Sequence, residues 1–151
     1  MQKINASSLI GGAPLLVETV SSNFDIRINH YVELDFLAFR SVVDELGGVP
    51  MWFPAPAVDQ RAHFAIGERG CHVLDGEQAL GFVRARNYQE LRDGELVTVG
   101  NSDFGRIERQ RIFISAAIDR AVARGARNPT TLAGLVSSAA ESVILDQDLT
   151  T

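Results

Sequence analysis

Arginine supplies almost all of the positive charge in this sequence, and it is concentrated in two short segments. Lys3 is the single lysine, so thirteen of the 14 basic residues are arginine. The densest groups lie in residues 83–86 (Val-Arg-Ala-Arg) and in residues 103–111 (Asp-Phe-Gly-Arg-Ile-Glu-Arg-Gln-Arg). A guanidinium keeps its charge at every working pH and presents a planar fork of donors that matches phosphate oxygens. These two segments are therefore the first candidates for an anion-binding site.

If residues 103–111 form a helix, some of their polar side chains lie on one side of that helix. Successive helical residues are ~100° apart, so Arg109 lies about 60° from Arg106 and Gln110 about 40° from it. Arg111 lies about 140° away and is predicted to face solvent or an intramolecular partner. The first turn of a helix favours anions through its free amides and partial positive charge. Asp103, just ahead, is suited to cap the helix, to accept a proton or to hold an arginine.

Arg84 and Arg86 would complete this site if the chain around them is extended, because alternate residues of a strand face the same side. In a helix the two side chains would diverge. The same region holds enough carboxylates to pair with most of its arginines: Glu90, Asp93, Glu95, Asp103 and Glu108. Surface ion pairs are common and contribute little. Residue spacing alone therefore leaves open a phosphate site and a set of surface ion pairs.

Composition indicates one folded domain over residues 1–151 and excludes several classes of function. The chain has 46% hydrophobic and 22% charged residues, as globular proteins do. Its net charge of -5 argues against non-specific nucleic-acid binding, which needs a broad positive face. With Cys71 the single cysteine, no internal disulfide and no zinc-type spacing is possible. We find no apolar run of ~18 residues and no signal-peptide pattern, and expect no membrane segment in these residues.

Hydrophobic periodicity predicts alternating helices and strands in the first half of the chain. A helix is predicted over residues 12–24 and a strand over 28–34, from their apolar spacing. Asp35 is a predicted N-cap for a helix that Gly47-Gly48 ends, and a strand follows at 49–53. A further short strand is predicted at 63–66.

The elements predicted in the second half of the sequence are those that carry the arginine segments. A helix capped by Asp75 precedes the first arginine segment, and Asp93-Gly94 predicts a hairpin or flap within residues 87–102. A long helix is predicted from Asp103 to Gly125, with its apolar stripe at Ile107, Ile114, Ala117, Ile118 and Ala121. A last helix is predicted from Pro129 to Val143. The expected fold is α/β, with helices covering both sides of a sheet.

Six phrases, in order along the chain, resemble the LytR-CpsA-Psr family of proteins. They are residues 3–5 with Gly11-Gly12, residues 30–36 and 43–49, residues 74–80 with their Leu-Asp-Gly start, the 83–86 segment, and Asp103-Phe104-Gly105-Arg106 with Arg109-Gln110. The resemblance extends over roughly residues 1 to 125.

The resemblance implies an extracytoplasmic, membrane-associated phosphotransferase. Such enzymes move a glycopolymer, such as teichoic acid, capsule or arabinogalactan, from a polyprenyl-pyrophosphate carrier onto peptidoglycan. The implied fold is a three-layer α/β/α sandwich with a central mixed sheet and an apolar pocket for the prenyl tail. Pyrophosphate binding is carried over to Lys3, Arg84, Arg86, Arg106, Arg109 and Gln110, with the role of Arg109 the least defined. Asp103 and Arg106 are the implied catalytic residues, acting by charge neutralisation at phosphorus.

The sequence also departs from the family pattern. Family domains begin with a membrane helix, an Arg-Thr-Asp phrase and a Pro-Arg-Asp phrase, which are not found in these residues. The family's Mg²⁺-binding aspartates belong to that part, so we expect the C-terminal two-thirds of a domain, without metal ligands. A prenyl-phosphate-binding protein without catalysis is the alternative function.

Other matched residues have structural interpretations. Asp44 with Gly47 and Gly48 is expected to shape a helix end, and Asp75 to cap a helix. His30 is expected to be a packed or edge residue. Trp52 and the phenylalanines are expected either to line the lipid pocket or to form ordinary core.

Overall fold

A computed structural model describes residues 4–29, 31–100, 103–125 and 143–145. The chain divides into two compact units, residues 1–34 with 143–151 and residues 35–142. All of the candidate site residues except Lys3 belong to the second unit. Lys3 and His30 lie outside the described residues.

The first unit combines one helical segment with a pair of strands. α1 (Asn5–Phe24) bends at Gly11-Gly12, because Gly12 has φ 63° and ψ -159°, a backbone conformation that other residues rarely adopt. β1 (Val32–Leu34) pairs antiparallel with β8 (Val143–Leu145). The helix predicted over 12–24 is confirmed, whereas the strand predicted from Ile28 begins only at Val32.

The second unit begins with a capped helix, as predicted. α2 (Phe36–Glu45) starts where Asp35 Oδ1 accepts a hydrogen bond from the Ala38 amide at 2.7 Å. It ends at Gly47 and Gly48, whose φ values of 64° and 76° turn the chain into the next strand. The cap and the glycine stop are thus both confirmed.

A two-stranded antiparallel sheet follows, formed by β2 (Val49–Phe53) and β5 (Gly70–Leu74). Val49, Met51 and Phe53 are buried, whereas the two residues between them are exposed. This period of two is the pattern of a strand with one face on the core. The predicted strand at 49–53 is confirmed.

A four-stranded antiparallel sheet forms the rest of the β-structure, in the order β4-β3-β6-β7. Its strands are β3 (Ala57–Asp59), β4 (Phe64–Ile66), β6 (Gln89–Arg92) and β7 (Glu95–Thr98). The predicted hairpin is confirmed, because Asp93 and Gly94 connect β6 and β7 with φ values of 52° and 85°. β3 was not predicted, since three residues beside two prolines show too little periodicity.

Two helices pack on these sheets. α3 (Gly76–Arg84) begins with a capping box between Asp75 and Gln78, as the sequence indicates. α4 (Asp103–Ala123) is the predicted long helix. The predicted apolar stripe does not form the buried face at its isoleucines, because Ile107, Ile114 and Ile118 are each more than half exposed, whereas Ala117 packs against the core.

The buried face of α4 instead carries Arg109 and Phe113, with Ala116 and Ala117 partly buried. The 3.6-residue period fits both faces of this helix, and side-chain packing decided between them. The helix predicted over 129–143 lies outside the described residues except for Val143, which is in a strand.

Aromatic side chains fill the centre of the second unit. The rings of Phe53, Phe64, Phe82 and Tyr88 pack with centroids 5.4–6.2 Å apart. Phe39 and Phe113 form a second contact, with centroids 5.6 Å apart. These phenylalanines are therefore core residues.

The α/β fold class is confirmed, and the strand pairings in the described residues are antiparallel. Within those residues, we find no helix with the length and apolar character needed to cross a bilayer.

Gly76→Ala tests the contact between α2 and α3. A Cβ at Gly76 would lie 2.5 Å from the Arg40 carbonyl oxygen, which is backbone and cannot move aside cheaply. We expect a loss of about 1–3 kcal/mol in the free energy of unfolding, measured by urea denaturation. Gly67→Ala is the control, because its Cβ would meet nothing within 4 Å. Equal stability of the two variants would contradict the close approach.

Candidate functional site

Four arginines of the second unit line one open cavity of about 460 Å³. They come from three places in the chain: the turn after β3, the end of α3 with the residues after it, and the first turns of α4. The lining residues are Phe36, Asp59, Arg61, Ala62, Val83, Arg84, Arg86, Asn87, Arg106 and Gln110. Arg84, Arg86, Arg106 and Gln110 were predicted from the sequence, and the fold brings these four together.

Arg84 and Arg86 reach this cavity by a geometry other than the predicted one. Arg84 is the last residue of α3, and Ala85 then adopts φ -56° and ψ 126°, which ends the helix. The condition of extended chain at both positions is therefore not met at Arg84. The change from helical to extended backbone at Ala85 nevertheless lets both side chains line the same cavity. Arg84 also lies over the Phe36 ring, 4.6 Å from its centroid.

The start of α4 supplies the other side of the cavity. Asp103 Oδ1 lies 3.2 Å from Arg106 and 3.6 Å from Arg86, so one carboxylate oxygen lies between two guanidiniums. Gln110 donates a hydrogen bond from Nε2 to the Val83 carbonyl at 3.1 Å, which ties α4 to α3. The arrangement supports an orienting role for Asp103.

Arg109, although one turn from Arg106, does not line the cavity. It is 7% exposed, donates hydrogen bonds to the carbonyls of Ala85 and Gly100, and lies over the Tyr88 ring with 4.9 Å to its centroid. Burial lowers the pKa of this guanidinium, and the fields of Tyr88 and Asp59 oppose that shift. The structure thus places Arg109 in the interior, where it holds backbone carbonyls.

Some of the other arginines form the surface ion pairs that the sequence left open. Arg111 pairs with Glu108 at 2.6 Å, and both are exposed, as its angular position predicted. Arg92, outside the two segments, pairs at 2.7 Å with Glu90, whose side chain is buried in the hairpin. Within the two segments, Arg111 thus forms a surface ion pair, whereas Arg84, Arg86 and Arg106 line the cavity.

Two residues of the cavity were missed by sequence reasoning. Asp59 is 1% exposed, and Arg61 follows it in a short 3₁₀ turn. Neither belongs to a dense arginine segment or a recognised phrase. The one available signal in the sequence was that Asp59 follows a short apolar run and precedes Arg61 by two residues.

The structure also tests the expectations for Asp44 and Trp52. Asp44 Oδ1 accepts a hydrogen bond from the Gly76 amide at 2.7 Å, so this carboxylate joins α2 to α3. Trp52 is 62% exposed and lines a second cavity of about 260 Å³. It therefore does not belong to the core that Phe53 and Phe82 form.

The described residues do not fit a magnesium site. Among them, no three acidic, histidine or cysteine side chains lie close enough together to hold a metal ion. The two carboxylates at the cavity are engaged, Asp59 by backbone amides and Asp103 by guanidiniums. No chemical step at this site is assigned to a metal.

The arrangement is suited to holding a ligand with several negative oxygens. Guanidiniums from separate elements can bind different oxygens of one anion, and Gln110 adds a neutral carboxamide. The lining residues therefore have the donors and the positive charge that a phosphate ligand requires.

Replacing Arg109 by methionine should destabilise the fold. The buried Ala85 carbonyl would lose its guanidinium donor, and we expect the free energy of unfolding to fall by about 1–3 kcal/mol. Arg111→Met, on the same helix, removes an exposed pair and should change it by less than about 0.5 kcal/mol. Thermal and urea unfolding measure both. A destabilisation by Arg111→Met as large as that by Arg109→Met would refute the interior role.

Tyr88→Phe should change how stability depends on pH. Burial raises the pKa of Tyr88 to about 12, with Glu90 adding to the shift and Arg109 opposing it. An unfolded tyrosine has a pKa of about 10, so this contribution is complete below pH ~10 and is lost as pH rises toward 12. The free energy of unfolding should therefore fall more steeply between pH 10 and 12 in the original chain than in Tyr88→Phe. Parallel curves would contradict the burial of this hydroxyl.

The chain is similar in sequence to one protein family and to named proteins of bacterial cell wall biosynthesis. The chain matches the LytR_cpsA_psr family model over residues 1–149. It is 35% identical over 140 residues to the probable cell wall biosynthesis protein LcpB of Corynebacterium glutamicum, covering 92% of this chain and 31% of that protein. It is 34% identical over 123 residues to the polyisoprenyl-teichoic acid–peptidoglycan teichoic acid transferase TagT of Bacillus subtilis, covering 78% of this chain and 34% of that protein.

A solved structure extends the likeness to the fold. The LytR-Csp2A-Psr enzyme from Actinomyces oris is similar with a TM-score of 0.78 and 27% identity, covering 97% of this chain and 54% of that one. The chain spans about a third of the length of the two curated relatives. From the family match over nearly its whole length, the chain belongs to the LytR_cpsA_psr family.

Proposed function

We propose that the cavity binds the pyrophosphate of a polyprenyl-pyrophosphate-linked glycopolymer, for transfer of the glycopolymer to peptidoglycan. One observation carries this proposal: Arg61, Arg84, Arg86 and Arg106 line a single open cavity, together with the carboxamide of Gln110. A pyrophosphate diester carries one negative charge on each phosphate, with oxygens spread over both. Guanidiniums from three elements match such an extended anion better than they match a single carboxylate.

The apolar part of the cavity fits the same class of ligand. Phe36, Ala62 and Val83 line it beside the guanidiniums. A ligand in which a pyrophosphate joins a hydrocarbon chain needs both kinds of surface within a short distance. Contact with a membrane would then come through the lipid part of the substrate.

The proposed reaction is a phosphoryl transfer. An acceptor hydroxyl oxygen bonds to the phosphorus that carries the glycan, the bridging P–O bond breaks, and polyprenyl monophosphate leaves with the bridging oxygen. Negative charge grows on the leaving oxygens, where Arg84, Arg86 and Arg106 stabilise it. Asp103 Oδ1 orients two of these guanidiniums. The same carboxylate is largely exposed and accepts the hydroxyl proton in this scheme.

The relatives support the polymer class and the place of action. TagT is named as a transferase of teichoic acid to peptidoglycan, and LcpB as a cell wall biosynthesis protein. Peptidoglycan lies outside the cytoplasmic membrane, so we propose that the chain acts there. Teichoic acid, capsule and arabinogalactan precursors share the pyrophosphate that this cavity suits.

Binding without transfer is the second candidate. The carboxylates near the cavity are engaged by amides and guanidiniums, and the guanidiniums hold a bound anion whether or not it reacts. Ligand binding combined with no release of prenyl monophosphate, in the presence of peptidoglycan acceptor and Mg²⁺, would assign this function instead.

Arg106→Gln tests the proposed clamp. The variant keeps side-chain donors but removes the charge, and we expect the dissociation constant for geranylgeranyl pyrophosphate to rise about ten- to hundredfold. Titration calorimetry at two salt concentrations measures it. Binding should weaken with salt in the original chain and depend less on salt in the variant.

Arg111→Gln is the matched control, because this arginine lies on the same helix but pairs with Glu108 at the surface. It should bind geranylgeranyl pyrophosphate within about twofold of the original chain. Geranylgeraniol, which lacks phosphate, should bind far more weakly than the pyrophosphate. Equal binding of the alcohol, or equal losses in the two variants, would reject the proposal.

A further inference from the structure

Asp59, the last residue of β3, is a buried carboxylate. It is 1% exposed, and no cationic side chain of the described residues forms an ion pair with it. A buried carboxylate is costly unless hydrogen bonds replace its water. Three backbone amides do so here.

The two oxygens of this carboxylate bind two different turns. Oδ1 accepts hydrogen bonds from the amides of Arg61 and Ala62, at 3.0 and 3.2 Å, in the 3₁₀ turn after β3. Oδ2 accepts one from the amide of Asn87, at 2.7 Å, in the segment after α3. These turns are distant in sequence, so one planar group sets the spacing between them.

Each of these turns carries a guanidinium of the cavity. Arg61 lies in the first turn, and Arg86 is adjacent to Asn87 in the second. Arg86 also pairs with Asp103, whereas Arg61 forms no ion pair in the part of the chain that the structure describes. Arg61 is exposed and lines the cavity, so its charge is available to a ligand.

We infer that Asp59 is a positioning residue for the anion site and that Arg61 is an additional ligand-binding guanidinium. This inference rests on the proposed pyrophosphate function; it adds Asp59 to the site and makes Arg61 a direct contact of the anion. Because the carboxylate holds both backbone turns before a ligand arrives, less conformational freedom is lost when the arginines bind one anion. Three amide donors match a carboxylate, whereas a carboxamide would turn an N–H donor toward the Asn87 or the Arg61 amide.

Calorimetric titration of the full chain with inorganic pyrophosphate tests Arg61. We expect Arg61→Gln to raise the dissociation constant about five- to tenfold and to weaken the salt dependence. Arg69→Gln is the control, because Arg69 is exposed and lies over the Trp52 ring, 5.9 Å from its centroid. If the Arg61 variant binds as well as the Arg69 variant, Arg61 is not part of the site.

A mutant cycle tests how Asp59 acts. Asp59→Asn should weaken pyrophosphate binding about tenfold in the original chain but less than about twofold when Arg61→Gln and Arg86→Gln are both already present. A structural defect unrelated to the arginines would cause the same loss in both backgrounds, and that result would overturn the positioning role.

Hydrogen exchange of the Asn87 amide tests the role of Asp59 in the absence of a ligand. The proposal requires this amide to be protected in the original chain and to exchange faster in Asp59→Asn. Rapid exchange in the original chain would overturn the positioning role, even if Asp59→Asn does not fold. Absence of pyrophosphate binding by the original chain would instead reject the proposed function and the role of Arg61, while the exchange result still decides that of Asp59.

Discussion

The hydrogen bond between the Arg109 guanidinium and the Ala85 carbonyl fixes the start of α4 against the end of α3. Ala85 is the residue at which helical backbone changes to extended, and it is fully buried. Because Arg106 precedes Arg109 by one turn, holding Arg109 in the interior also sets where Arg106 lies. The cavity lies between the end of α3 and the start of α4, so the interior guanidinium of Arg109 helps to set the position of the guanidiniums that line the cavity.

The arginines of α4 illustrate how one residue type serves several physical purposes. Arg106 faces the cavity, Arg109 satisfies interior carbonyls, and Arg111 pairs with a surface glutamate. Near its other end, Arg120 and Arg124 donate to the Leu46 carbonyl at the end of α2. Backbone carbonyls at a helix end lack partners within the helix, and long cationic side chains can supply them. Only some of the arginines in this acidic chain therefore remain available to the cavity.

Local signals in the sequence were sufficient where a structure depends on neighbouring residues. The Asp35 and Asp75 caps and the Asp93-Gly94 hairpin follow from hydrogen bonds and backbone angles within a few residues. The buried face of α4 and the short strand β3 depended on packing with distant elements and were not found. Asp59 was missed for the same reason, because its partners include Asn87, 28 positions away.

By itself, the sequence determined the family, the positions of the caps and turns, and the presence of arginines suited to phosphate. These properties belong to residue type and short spacing, and an ordered set of phrases identifies them. Tertiary structure decided which arginines share the cavity, by ending α3 at Arg84, burying Arg109 and bringing Arg61 beside Arg86 through Asp59. The physical reason is that a guanidinium can donate to a carbonyl, a carboxylate or a phosphate, and only the folded chain determines which of them lies within its reach.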